Sequence, residues 1–139
     1  MLVAAGLVTL LFTGCSEKKP IETPSAPPAP PMAGGDADIH GCRASAGYQW
    51  STVKKECVRT FELPLQLINT DKSSGAGVVF SADNKQAEVF SAMTTLVLNA
   101  QSTVLFTGKA EGTEWLLEQK NGKWQFGKKG AATPAYTQK

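Results

Sequence analysis

The chain has 139 residues, 42% hydrophobic and 19% charged, and a formal net charge of +2. This length suits one small domain, and the charge is too small to predict a nucleic-acid partner. The single histidine limits metal binding and general-base chemistry.

The first 14 residues, Met1 to Gly14, are apolar and carry no charged side chain. As a helix they would span about 21 Å, less than the ~30 Å of a membrane core. The segment is therefore predicted to be a signal-peptide core. No Lys or Arg precedes it, so either translation starts upstream of Met1 or the signal is weak.

The end of this run, Leu11-Phe12-Thr13-Gly14-Cys15, resembles the bacterial lipobox, with Phe12 where leucine is usual. The resemblance implies cleavage before Cys15 and a diacylglycerol on its thiol. Ser16 after the cysteine implies export to the outer membrane in the enterobacterial scheme. The alternative is an ordinary secretory signal that happens to contain a cysteine.

The segment 15–38 is predicted to be a tether. Six of the eight prolines lie between Pro20 and Pro31, and proline favours a semi-rigid polyproline II spacer. Two alternatives stay open: the prolines are a ligand for a proline-binding domain, or Asp36, Asp38 and His40 hold a metal.

The remaining cysteines, Cys42 and Cys57, are expected to form a disulfide because exported proteins fold in an oxidising space. Closing this loop is worth about 3 kcal/mol in the chain-entropy model. The residues between them predict a hairpin: a strand over 48–50, a connection over 51–54 and a returning strand over 55–61.

Three residues of this hairpin are candidate binding residues: Tyr48, Trp50 and Arg59. The two rings share one strand face, which suits either a platform for a sugar or peptide or, as we favour, a cover for the disulfide. Arg59 is predicted to pair with Glu62 at the surface, and the alternative is that it stacks on Trp50.

The hairpin motif, GC, SAGYxW and CxRxFE over Gly41 to Glu62, resembles a group of small bacterial lipoproteins of uncharacterised function. The resemblance implies a cellular location and an architecture, and it assigns no catalytic residue.

After residue 62 the chain has strand patterns, and no stretch has a helical period. The sequence predicts an all-β domain over 39–130, a small antiparallel sandwich or barrel of about 7–9 strands with the clipped hairpin at its N-terminus. Asn121-Gly122 is the strongest hairpin turn. The expected loops and turns lie at 69–77, 82–85 and 100–102, and residues 131–139 are expected to be a flexible tail.

Four apolar residues near the end are predicted to be core, with a ligand platform as the alternative: Trp124 and Phe126 on one face, Trp115 and Leu117 on the opposing one. The nearby Lys120, Lys123, Lys128 and Lys129 are expected to be a solvated edge, with contact to an anionic surface as the alternative.

No arrangement in the sequence predicts catalysis, and no cofactor or metal is expected. We expect an exported lipoprotein of the bacterial envelope, anchored by its lipid to the outer membrane and facing the periplasm. Its expected role is structural or binding, without catalysis. The alternative is an envelope inhibitor of lysozyme. The architecture and the segment 79–130 are similar in outline to membrane-bound inhibitors of C-type lysozyme, which are small β-barrel lipoproteins, but no inhibitory residue is carried over.

Overall fold

A computed structural model describes residues 35–139, which form a two-stranded hairpin and a closed eight-stranded barrel. Within this range no helix has the length and apolar character needed to cross a membrane. Two short 3₁₀ turns cover Ala44–Ala46 and Thr60–Glu62. The ten strands are β1 (Tyr48–Ser51), β2 (Glu56–Arg59), β3 (Leu65–Asn69), β4 (Gly75–Phe80), β5 (Gln86–Ser91), β6 (Thr95–Ser102), β7 (Leu105–Ala110), β8 (Thr113–Lys120), β9 (Lys123–Lys128) and β10 (Tyr136–Gln138).

The barrel is an antiparallel meander in which β3 to β10 follow one another around the wall. The last strand, β10, pairs with both β9 and β3 and closes the sheet. The all-β prediction is confirmed, and of the two architectures it left open the domain adopts the barrel. Closure satisfies the strand edges that an open sheet would expose.

Alternate residues of each strand fill the barrel interior, as the two-residue period of a strand requires. The buried members of this core are Leu65, Leu67, Ala76, Val78, Ala87, Val89, Leu98, Phe106, Trp115, Leu117, Phe126 and Tyr136. Small Ala87 lies opposite Phe80 on the neighbouring strand, so large and small side chains share the narrow lumen. The interior is therefore a packed core.

All four apolar residues near the end of the chain face this interior, with Trp124 packed at its margin. The cross-strand pair Leu117 and Phe126 places β8 and β9 side chains on the same face, and the Trp115 and Phe126 rings stack with centroids 5.0 Å apart. The prediction of core residues is confirmed for Trp115, Leu117 and Phe126, while Trp124 is only partly buried. The two pairs lie on one common face, because neighbouring strands pair directly and share their inward side.

The β8–β9 turn is Asn121-Gly122, with φ of 51° and 76°, as the type I′ turn requires. The β6–β7 turn was predicted wrongly at 100–102. It lies at Thr103-Val104, because β6 continues to Ser102 through an irregularity between Ala100 and Ser102. The 69–77 loop is also shorter than predicted, since β4 already begins at Gly75.

The predicted flexible tail is wrong for its second half, where β10 completes the barrel. Tyr136 is only 1% exposed, and its ring lies 6.3 Å from that of Phe126. A large aromatic ring in the last gap of the wall buries enough apolar surface to order the short strand around it.

The hairpin packs on the outside of the barrel, over β4 and β5. Val58 forms a second small core with Val79 and Phe90, and Leu63 packs against it. The 3₁₀ turn Thr60–Glu62 crosses Gly77, where a Cβ would lie 2.2 Å from the carbonyl oxygen of Thr60. Glycine is required there because the two backbones approach so closely.

Candidate functional site

The disulfide between Cys42 and Cys57 is present, with the two Cα atoms 5.5 Å apart. It joins the arm that precedes β1 to strand β2, and neither cysteine belongs to the barrel wall. The clipped hairpin predicted from the sequence is therefore confirmed, but its returning strand is shorter than the predicted 55–61, because the chain enters the 3₁₀ turn Thr60–Glu62 after Arg59. The bond fixes the arm and the hairpin as one unit on the barrel surface.

Tyr48, Trp50, Cys57 and Arg59 share the side of the hairpin that faces away from the barrel, here called the hairpin face. Val58 packs towards the barrel, so its neighbours Cys57 and Arg59 point outward. Register places Tyr48 opposite Arg59 and Trp50 opposite Cys57. The three candidate binding residues are thus brought together beside the disulfide.

Each ring on the hairpin face has its own partner. His40, from the arm, stacks on Trp50 with centroids 4.1 Å apart and an interplanar angle of 10°. The guanidinium carbon of Arg59 lies 4.7 Å from the centre of the Tyr48 ring. The alternative that Arg59 stacks on Trp50 is wrong, because the register puts Arg59 across from Tyr48. Both aromatic rings are half-buried.

Arg59 also forms the predicted ion pair, with Nη1 2.9 Å from Oε1 of Glu62. The Glu62 carboxylate raises the pKa of Arg59 above its usual range, first through this hydrogen bond and then through its charge. Among the described residues the Nε atom of Arg59 is buried without a hydrogen-bond partner. One terminal nitrogen of Arg59 therefore bonds Glu62 while the guanidinium carbon lies over the Tyr48 ring.

The arm residues proposed as an alternative metal cluster have other partners. Asp38 Oδ1 accepts hydrogen bonds from the backbone N–H groups of His40 and Cys42, at 2.8 and 2.9 Å. Asp36 accepts from the backbone and hydroxyl of Ser45, which lowers the pKa of its carboxyl. Within residues 35–139 no three His, Cys, Asp or Glu side chains are placed to hold a metal.

A buried carboxylate that sequence reasoning missed, Glu88, joins the hairpin to the barrel. It is 2% exposed, and it accepts hydrogen bonds from Ser51 Oγ at 2.6 Å and from the N–H groups of Thr52 and Val53 at 3.2 Å. The only signal in the sequence is a charge inside the apolar run AEVF. Its partners are 35 to 37 residues away in the chain, so the sequence pattern does not show them.

A second group of aromatic residues lies at one end of the barrel. The rings of Phe80, Phe106 and Trp124 have centroid separations of 5.3, 5.3 and 6.0 Å. With Asn84 and Thr103 they line a depression of about 240 Å³. These five residues are here called the aromatic end.

The lysine group near the chain end is largely paired. Lys120 contacts Glu118 at 2.7 Å, Lys129 contacts Glu114 at 3.0 Å, and Lys128 lies 5.7 Å from the Trp115 ring centre. These contacts neutralise part of the positive charge on this side.

Comparison of the chain with protein-family models, with curated proteins and with solved structures finds no match. The lipobox predicted at Cys15 lies outside the described residues.

Proposed function

We propose that this protein is a lipid-anchored binding protein of the bacterial envelope, with no chemistry of its own. A filled barrel carries the disulfide-fixed hairpin, and the hairpin face is the surface that contacts a partner protein. The observation that carries the proposal is the half-exposed pair of stacks, His40 on Trp50 and Arg59 on Tyr48, on the side turned away from the barrel.

Aromatic and arginine side chains are the residues that most often dominate protein interfaces. Here the disulfide and the Glu88 hydrogen bonds hold them on a fixed support. Binding by a surface ordered in advance loses less conformational entropy. Phe61, which is 62% exposed, follows β2 and adds apolar area near the same hairpin.

The anchor half of the proposal depends on Cys15 and is tested in bacteria that express the full chain. Cys15→Ser should move the protein from washed membranes to the soluble periplasmic fraction. The variant has no thiol to carry the lipid, and stable anchoring depends on the buried acyl chains. A Ser16→Ala variant, which leaves the cysteine intact, is the control. A Cys15→Ser protein that stays in washed membranes would refute lipid anchoring.

The binding half is tested by photo-crosslinking from the hairpin face in intact cells. A photoreactive phenylalanine derivative in place of Tyr48, which lies on the hairpin face opposite Arg59, should yield a discrete adduct that Trp50→Ala and Arg59→Ala both reduce. The control places the same photoreactive residue at Lys109, which is exposed on β7 of the barrel wall, whereas the hairpin packs over β4 and β5. Equal adducts from both positions would refute a specific surface on the hairpin.

A second candidate function, inhibition of lysozyme, is favoured by one observation. The domain is a closed barrel with a disulfide, the architecture that the resemblance to C-type lysozyme inhibitors implies. Titration of the full chain against C-type, G-type and I-type lysozymes tests it. Inhibition near stoichiometry would support this function over the binding role proposed above. Full lysozyme activity at a large excess of the protein would rule out inhibition.

A further inference from the structure

The aromatic end is a small, open depression at the end of the barrel where β4–β5, β6–β7 and β8–β9 turn. Phe80 is the last residue of β4, and Phe106 and Trp124 are each the second residue of their strands. All three therefore sit at one level of the wall. Phe106 is buried at the base, while Phe80 and Trp124 are half-buried at the sides.

The apolar part of this depression consists of aromatic rings alone. Ring faces are flat and carry partial negative charge, so they suit the C–H groups on one face of a saturated ring. An acyl chain would be expected to find aliphatic side chains as well, and none lines the site. The surface chemistry therefore favours a ring-shaped ligand that stacks.

The rim supplies polar groups. Within residues 35–139 the side-chain amide of Asn84, the hydroxyl of Thr103 and the indole N–H of Trp124 form no hydrogen bond with other protein groups; at Asn84 and Trp124 only the backbone N–H donates. A wholly apolar ligand would cover these groups without pairing them, which is unfavourable. No charged side chain lines the depression, which favours a neutral ligand.

The turn that carries Asn84 is fixed before any ligand binds. Asn84 has a φ of 55°, a conformation that asparagine tolerates, and its N–H donates to the Ser81 carbonyl at 3.0 Å. Asp83 accepts from Ser81 Oγ at 2.6 Å and from the Lys85 N–H at 3.1 Å. The side-chain amide of Asn84 therefore projects from a turn at the rim that hydrogen bonds hold in place.

We propose that the aromatic end binds one pyranose ring of a neutral saccharide. A pyranose has a C–H face for the rings of Phe80 and Trp124 and edge hydroxyls for Asn84 and Thr103. The volume of about 240 Å³ lies below the roughly 300–1,000 Å³ of sites that enclose a drug-sized ligand. One ring therefore enters, and the rest of the saccharide stays in solvent. This site is separate from the hairpin face and does not depend on the lipid anchor.

The test follows the indole N–H resonances of the full, ¹⁵N-labelled chain during titration with chitotriose, cellotriose or maltotriose to about 20 mM, the range for millimolar affinity. At least one saccharide should shift the Trp124 resonance to saturation. Asn84→Gly, which keeps the backbone conformation, and Phe80→Leu, which keeps the Trp124 reporter, should each weaken binding about tenfold or more. Trp50→Leu, on the hairpin face, should leave the affinity unchanged.

The proposal is overturned if none of the three saccharides moves the Trp124 resonance. It is also overturned if laurate saturates the site while the saccharides do not, which would make it an apolar docking site. An equal loss of affinity in Trp50→Leu would place the saccharide on the hairpin face instead. None of these outcomes bears on membrane attachment or on the hairpin crosslink.

Discussion

At the scale of single residues, the contact that most depends on tertiary structure is the buried Glu88 carboxylate. Three donors from the β1–β2 connection converge on its two oxygens. Because Val89 and Ala87 point into the barrel, Glu88 points outward, under the hairpin. The carboxylate therefore accepts hydrogen bonds from backbone N–H groups of this connection that would otherwise lack a partner.

Glu88→Gln should lower the free energy of unfolding by about 1–3 kcal/mol, because the new amide turns a donor towards donors. Urea unfolding of the full chain measures the change. Glu118→Gln is the matched control: its carboxylate contacts Lys120 at the surface, so about 0–1 kcal/mol is expected. Equal stability of Glu88→Gln and the parent would contradict a structural role for these bonds.

Gly77 offers a second test at this scale. A methyl group there would lie 2.2 Å from the Thr60 carbonyl oxygen. Gly77→Ala should therefore lower the free energy of unfolding by about 1–3 kcal/mol, because the added methyl group overpacks the contact. Gly75→Ala, in the same strand, meets its nearest atom at 3.5 Å and should change stability by no more than about 0.5 kcal/mol. Thermal unfolding of the two variants tests the prediction. Similar melting temperatures would show that the 3₁₀ turn Thr60–Glu62 can move to accommodate the methyl group.

At the scale of elements, the hairpin is fixed in three ways: by the disulfide, by the small core around Val58 and by Glu88. A two-stranded sheet is marginal by itself. The disulfide lies outside the barrel wall, so its loss acts first on the arm and the hairpin. These elements are expected to open before the barrel does.

Cys42→Ser should therefore reduce stability by about 2–5 kcal/mol, with the loss concentrated in residues 36–59. Hydrogen exchange should show faster exchange in β1 and β2 and little change in β7 and β8. Ser45→Ala, in the same arm, is a control that keeps the disulfide. A Cys42→Ser protein with the same melting temperature as the oxidised parent would contradict the prediction. Uniform loss of hydrogen-exchange protection would show that the hairpin and the barrel unfold as one unit.

At the scale of the whole molecule, closure of the barrel depends on three residues of β10. Tyr136 pairs with Asn69 of β3 and with Phe126 of β9, so one residue bridges both sides of the seam. Its ring fills the interior between them. Removing it leaves both a cavity and an unclosed seam.

Tyr136→Ala should cost about 3–5 kcal/mol, the usual range for a buried aromatic side chain. Tyr48→Ala, on the half-exposed hairpin face, should cost markedly less and serves as the comparison. Denaturant unfolding monitored by tryptophan fluorescence measures both, because Trp115 lies in the barrel core. If the two substitutions cost the same, β10 does not hold the barrel closed.

Much of the fold was determined by local sequence. Alternating residues such as Val78 and Phe80, and the Asn121-Gly122 turn with both φ angles positive, specify short antiparallel strands because side-chain period and turn chemistry act over a few residues. Pairing of Cys42 with Cys57 followed from their being the two cysteines within the domain. These features need no knowledge of distant contacts.

Only the tertiary structure decided the rest. Closure into a barrel depends on Tyr136 meeting Phe126 and β3, and the ordering of the predicted tail comes from that burial. The Glu88 contacts and the meeting of Phe80, Phe106 and Trp124 join residues far apart in the chain. Their energies depend on which surfaces the closed sheet brings together, and a local pattern of polar and apolar residues does not contain that information.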